Sequence, residues 1–245
     1  MTPDAAQGAM PHALIVGASS GIGFEVAQRL APNWRVTALS RRIERLAPLR
    51  ESGVEAVFCD VAQLESIAPL VENIVARRGK VSALVYCAGA QLVRPMRSLK
   101  LDDIRRVIDV NLTAALIFGQ MMASQRFADS DATFCAVSSI AAQRPEPAIV
   151  PYAVAKAGLE ALIKGLAREI SPRRAVGVAP GWLDTEMTQA YKQVYNDAFK
   201  EQLAKKAPGG IATVASIVDA IAFLLSNQAK FITGQILTID GGASL

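Results

Sequence analysis

Histidine is almost missing from this chain: among 245 residues, His12 is the only one. A His-rich metal site and a Ser-His-Asp triad are therefore set aside, and no metal ligand set is expected. Cysteine is scarce too. Cys59, Cys87 and Cys135 are odd in number, sit near the ends of apolar runs and share no metal or redox spacing. Unpaired thiols of this kind suit a reducing compartment, so a cytoplasmic location is expected. No apolar run reaches the length of a membrane span and no signal-peptide pattern opens the chain, so no membrane partner is expected. The net charge of +4 is not concentrated anywhere: Arg41-Arg42, Arg77-Arg78, Arg105-Arg106 and Arg173-Arg174 are separate pairs. Aromatic residues do not interleave with them, which removes the argument for a nucleic-acid partner.

What is present is apolar sequence, 51% of the chain, enough to bury one substantial core. Short apolar runs at 13–17, 35–40, 56–60, 83–88, 133–138, 175–179 and 235–240 lack in/out alternation, as strands covered on both faces do. Helical periodicity fills the gaps at 21–30, 64–77, 101–122, 152–170 and 214–225. The rhythm predicts an α/β fold: a single Rossmann-like domain over 11–245, with a doubly wound parallel sheet of about seven strands and helices on both faces. Residues 1–10 read as a loose extension. The stretch 181–210 breaks the rhythm, and is either a surface helical hairpin or a mobile cover over a site.

Leu14-Ile15-Val16 runs into Gly17-Ala18-Ser19-Ser20-Gly21-Ile22-Gly23, after which a helix begins. Gly17 permits a tight turn, Gly21 lets the backbone approach a pyrophosphate, and Gly23 lets the helix pack close to the strand. The helix N-terminus supplies oriented N–H groups for phosphate. The second strand ends at Ser40-Arg41-Arg42, where a carboxylate would select NAD(H). A hydroxyl and guanidinium there favour the 2′-phosphate of NADP(H). Asp60, at the third strand's end, can accept from an adenine amino group or cap the helix after it.

Tyr152 and Lys156 lie four residues apart on a predicted helix and share one face. Ser139 lies thirteen residues before Tyr152, at the end of the fifth strand, where an open α/β sheet gathers its reacting groups. A phenol ionises near pH ~10 and needs a nearby cation to serve as acid and base. Ser139 is placed to hold a substrate oxygen as charge develops on it.

This layout resembles the short-chain dehydrogenase/reductase family from about Ala13 to Gly242. The resemblance rests on the glycine loop, Asp60, Cys87-Ala88-Gly89, Asn111-Leu112-Thr113, Ser139, Tyr152/Lys156, Pro180-Gly181 with Thr185, and Asp240-Gly241-Gly242. It implies that Asn111, Ser139, Tyr152 and Lys156 form the catalytic set, with Asn111 holding a water in a proton relay to Lys156. It implies that Gly17, Ser19, Ser20, Gly21, Ile22, Gly23, Ser40, Arg41, Arg42, Asp60, Val61, Cys87, Ala88 and Gly89 bind the cofactor. Tyr152, Lys156, Pro180, Gly181 and Thr185 would complete that site, with Lys156 on the nicotinamide ribose and 181–210 as substrate lid. Two positions depart from the family pattern: Val16 replaces a threonine, and Cys87 replaces an asparagine that ties adjacent strands.

The expected activity is NADP(H)-dependent interconversion of a carbonyl and a secondary alcohol. The partner is a small-molecule substrate, an acyl-thioester being one option because the chain looks most like 3-oxoacyl-carrier-protein reductases. Arg126, Arg168, Arg173 and Arg174 could then meet an acidic carrier. A homodimer or homotetramer using 210–225 and 235–240 is implied. The alternative, a catalytically silent NADP(H)-binding regulator, has no need to keep all four polar residues.

Overall fold

The computed structural model describes residues 10–245, so the extension expected over 1–10 lies outside the described residues except at Met10. Seven strands form one parallel sheet: β1 (His12–Val16), β2 (Arg35–Ser40), β3 (Glu55–Phe58), β4 (Val81–Tyr86), β5 (Ala128–Val137), β6 (Arg174–Pro180) and β7 (Ile236–Ile239). Their order is β3-β2-β1-β4-β5-β6-β7. The chain winds outward from β1 to β3, then returns to the other side of β1 with β4. The crevice at that reversal, beyond the carboxyl ends of the strands, is where the fold can hold a ligand.

The helices are α1 (Gly21–Leu30), α2 (Ala47–Glu51), α3 (Leu64–Arg78), α4 (Leu101–Ile108), α5 (Ala114–Ala123), α6 (Val150–Glu169), α7 (Glu186–Gln189), α8 (Asp197–Lys206) and α9 (Val214–Leu225). Side chains along β1 alternate between two cores. Leu14 and Val16 pack with Tyr86, Phe118, Phe134 and Ile163 under α3, α5 and α6. Ala13 and Ile15 pack with Val26, Val85, Val176 and Ile221 under α1 and α9. Both faces are covered, which is why the strands show no polar alternation in sequence.

The helix expected over 101–122 is interrupted. Residues Asp109–Thr113 form a π-helical turn between α4 and α5, which rotates Asn111 inward until it is fully buried. The helix expected from 152 begins at Val150, with Pro151 in its first turn, where a missing N–H costs nothing. α2 was not expected; five residues are too short for a periodic signal. The 181–210 stretch carries two short helices, α7 and α8, and several of its residues line the cleft described below.

The arginines considered for carrier docking lie elsewhere. Arg173 and Arg174 are buried at the start of β6, the end of the strand away from the crevice. Arg173 donates to the Asp129 and Ala123 carbonyls, and Arg174 to those of Ala229 and Ile232. Arg126 stacks on Phe127 and pairs with Glu72 at 3.3 Å. Arg173 and Arg174 thus hold main chain in place. His12 is likewise structural: its Nε2 meets Thr37 Oγ1 at 2.9 Å and its Nδ1 meets the Gly79 carbonyl at 3.1 Å, with no exposure to solvent.

Candidate active site

A cleft of about 530 Å³ runs across the carboxyl ends of the strands, from the glycine loop to the 181–210 segment. At one end Gly17 adopts φ +88°, and a side chain there would meet the backbone N of Ala88 at 2.6 Å. A side chain on Gly23 would run into the Gly17 carbonyl oxygen. These two glycines let α1 start directly behind β1. Ser20, the residue before α1, makes no side-chain cap, and the first turn carries no acidic residue. The N–H groups and positive end of α1 are thus left for an anion, as a dinucleotide pyrophosphate requires.

The two departures from the family pattern are accommodated locally. Gly17 N donates to the Leu39 carbonyl at 2.9 Å, and Cys87 N donates to the Val16 carbonyl at 2.8 Å. Main chain therefore ties β1 to both neighbours where side chains at 16 and 87 do not. Burial pushes the Cys59 thiol up to about 11 and the Cys87 thiol further still, so neither is a nucleophile at neutral pH.

At the end of β2, Ser40 is buried and its Oγ accepts from Arg42 N at 3.0 Å. Arg42, more than Arg41, faces the glycine loop: its Nε and Nη2 reach Ser19 Oγ at 3.2 and 3.0 Å. Arg41 stays largely in solvent, 3.8 Å from Asp60. Asp60 accepts from Ala62 N at 3.1 Å, the capping alternative, and does not line the cleft, whereas Val61 does.

Ser139, Tyr152 and Lys156 share the opposite wall of the cleft. Ser138 and Ser139 alternate as extended backbone demands. Ser138 points into α6, donating to Glu160 Oε1 at 3.1 Å, while Ser139, whose Oγ accepts from Ala141 N at 3.2 Å, lines the cleft with Tyr152. Glu160 also accepts from Gln143 Nε2 at 3.2 Å, fastening the loop after Ser139 to α6.

Lys156 Nζ lies 5.6 Å from the centroid of the Tyr152 ring and donates to the Val137 carbonyl at 2.7 Å. The expected lowering of the phenol by this ammonium does not arise from the protein's own groups. Burial raises Tyr152 to about 12, with only the Ser139 hydrogen bond opposing it. Burial also lowers Lys156 to about 8. Asn111 sits one layer behind the cleft wall. Its Nδ2 donates to the Ala90 and Val107 carbonyls at 2.7 and 2.8 Å, and its Oδ1 accepts from Ala90 N at 3.3 Å. What its amide can still offer a water is a single lone pair.

The family model described as Enoyl-(Acyl carrier protein) reductase matches residues 17–244. A 3-oxoacyl-[acyl-carrier-protein] reductase of Staphylococcus epidermidis is 31% identical, over 94% of this chain and 97% of its own. The chain belongs to the short-chain dehydrogenase/reductase family. Its fold superposes on 4-hydroxyisoleucine dehydrogenase complexed with NADH at a TM-score of 0.87, with 26% identity over 96% of this chain and 98% of that one. It superposes on a variant of actinorhodin polyketide ketoreductase with NADPH at 0.86, with 27% identity over 95% and 97%. This short-chain dehydrogenase/reductase is therefore an oxidoreductase. Among the described residues, no helix is long and apolar enough to cross a membrane.

Beyond the polar residues the cleft is lined by the 181–210 segment. Trp182, Tyr195 and Phe199 pack edge to face, with centroids 5.2 to 6.4 Å apart. Tyr191 Oη donates to the Gln91 carbonyl at 3.0 Å, and Gln91 Nε2 donates to Tyr195 Oη at 2.9 Å. Sequence reasoning missed Gln91, Tyr195, Glu160 and Glu186. Their partners lie 17 to 144 residues away, so no local spacing could have marked them.

Proposed function

We propose that this protein interconverts a carbonyl compound and a secondary alcohol with NADP(H), Tyr152 serving as acid and base. The observation that carries the reading is that Ser139, Tyr152 and Lys156 line the same cleft as the anion-ready end of α1. Gly17, Gly21 and Gly23 with Ser19 and Ser20 would hold the pyrophosphate, Ser40 with Arg41 and Arg42 the 2′-phosphate, and Pro180, Gly181 and Thr185 the nicotinamide end. Bound there, the cofactor supplies or takes up a hydride. The chain's own groups handle the proton. Ser139 polarises the substrate oxygen, and Tyr152 delivers its proton to that oxygen in the reducing direction. A phenol raised to about 12 keeps that proton until a developing alkoxide claims it. Lys156 stands beside the Tyr152 ring, backed by the Val137 carbonyl, and would hold the nicotinamide ribose.

The apolar and aromatic substrate end, formed by Ile140, Ile149, Trp182, Tyr195 and Phe199, supports a substrate with an apolar flank beside its carbonyl. An NADPH-oxidation screen across ketones, 3-oxoacyl thioesters and quinones tests this, and turnover confined to hydrophilic sugar acids would count against it.

Two measurements check the finer claims. NADPH should bind at least tenfold tighter than NADH, ~1.4 kcal/mol, a modest demand on one charge-assisted phosphate contact. Fluorescence titration of both cofactors decides it, and equal affinities would sink the NADP(H) reading. The protein should also assemble as a dimer or tetramer. β7 is an edge strand, and Phe223 on α9 and Phe231 in the connection to β7 are 41% and 90% exposed. A 26.0 kDa species by sedimentation at micromolar concentration would contradict this.

A further inference from the structure

Glu186 opens α7, at the start of the segment that covers the cleft, and its carboxylate is held from the opposite bank. Arg42 Nη1 donates to Oε1 at 2.6 Å, and Arg45 Nη1 donates to Oε1 and Oε2 at 2.9 and 2.8 Å. Arg42 has no nitrogen outside this arrangement, because its Nε and Nη2 are on Ser19 Oγ and Nη2 also reaches Ser20 Oγ at 3.1 Å. The guanidinium thus joins the glycine loop, the end of β2 and the cover at the point where an anion on the adenosine ribose would need it.

We propose that Glu186 is a built-in competitor for that anion: the 2′-phosphate of NADP(H) replaces the carboxylate on Arg42 and Arg45, and the exchange frees the first turn of the cover. The proposal rests on the NADP(H) reading above. Carboxylate and phosphate bind guanidinium through the same paired hydrogen bonds, and the phosphate carries more charge. The clasp is weak enough to exchange, since Arg42 and Glu186 keep 38% and 45% side-chain exposure and ion pairs in solvent are screened. The two arginines hold the Glu186 carboxyl down at about 2, so it stays ionised and the competition is constant across neutral pH. The far end of the cover is fastened separately, through Tyr191 and Tyr195 on Gln91. Release at Glu186 therefore loosens α7 without undocking the rest.

The test is Glu186→Gln, which keeps the shape and removes the charge. Fluorescence titration should show NADPH bound about fivefold tighter than by the wild type, ~1 kcal/mol, with NADH changed less than twofold. Hydrogen exchange supplies a readout without turnover. Adding 2′-AMP, but not 5′-AMP, should speed exchange of the 185–190 amides in the wild type, and the variant should start at the faster rate. Weaker NADPH binding by Glu186→Gln would overturn the proposal, because Glu186 would then be steadying Arg42 for the phosphate. Equal tightening of NADPH and NADH would overturn it too, placing the carboxylate against the shared pyrophosphate. A wild type indifferent to the 2′-phosphate beside a variant that prefers NADPH would uphold the competition and retire the cofactor reading for the natural chain. Indifference in both proteins would retire both.

Discussion

Tyr152→Phe is expected to lower turnover by about 10³-fold or more, towards the upper range for loss of a general acid, while NADPH affinity stays within a few-fold. Tyr152 lines the cleft with Ser139 at the end proposed to react, so removal of its hydroxyl withdraws the proton and little that would touch the cofactor. Ser139→Ala should show a smaller loss of about 10²-fold, the scale of one lost oxyanion donor. Measuring kcat and the cofactor dissociation constant separately keeps the two effects apart. A Tyr152→Phe enzyme that retains a tenth of wild-type turnover on a good substrate would mean that the proton comes from elsewhere.

Lys156→Ala should damage both quantities, with kcat down by at least about 10²-fold and NADPH binding weakened about tenfold, ~1.4 kcal/mol. The substitution removes the ammonium beside the phenol and leaves the buried Val137 carbonyl without its 2.7 Å donor. A pH profile separates these roles. Burial brings Lys156 from 10.5 to about 8, so the group is charged below that value and neutral above it. Reduction followed as kcat/KM should therefore fall as pH rises through about 8, whereas Tyr152, at about 12, contributes no such limb. Lys156→Arg, charged throughout, should move the limb out of range at whatever activity it retains. A wild-type profile flat to pH ~10 would show that the lysine charge is not required.

The glycine loop was legible to the residue because its constraints are local. Gly17 and Gly21 take positive φ and Gly23 packs against Gly17, all within seven consecutive positions. Ser138 and Ser139 part for a local reason too, since alternation along an extended chain sends neighbours to opposite sides, and Ser138 meets Glu160. The burial of Asn111 is not legible in sequence. A π turn inserts one residue into a helix whose apolar period hardly registers it, and only packing against Ala90 shows the result. At the adenosine end the sequence offered Ser40, Arg41 and Arg42 together, and the fold turned Arg42 inward and left Arg41 largely in solvent beside Asp60.

By itself, the sequence determined the alternation of strands and helices, the parallel sheet of seven strands and the residue types of the reacting wall. Periodicity and glycine conformation act within one turn or one strand, so they are written in neighbouring letters. Tertiary structure alone decided which distant side chains meet: Glu186 with Arg42 and Arg45 as ion pairs, Tyr195 with Gln91 and Glu160 with Ser138 as hydrogen bonds. It also decided that burial raises the phenol and lowers the lysine. Ion pairs and desolvation depend on distance and solvent exclusion in three dimensions, and neither is a function of separation along the chain.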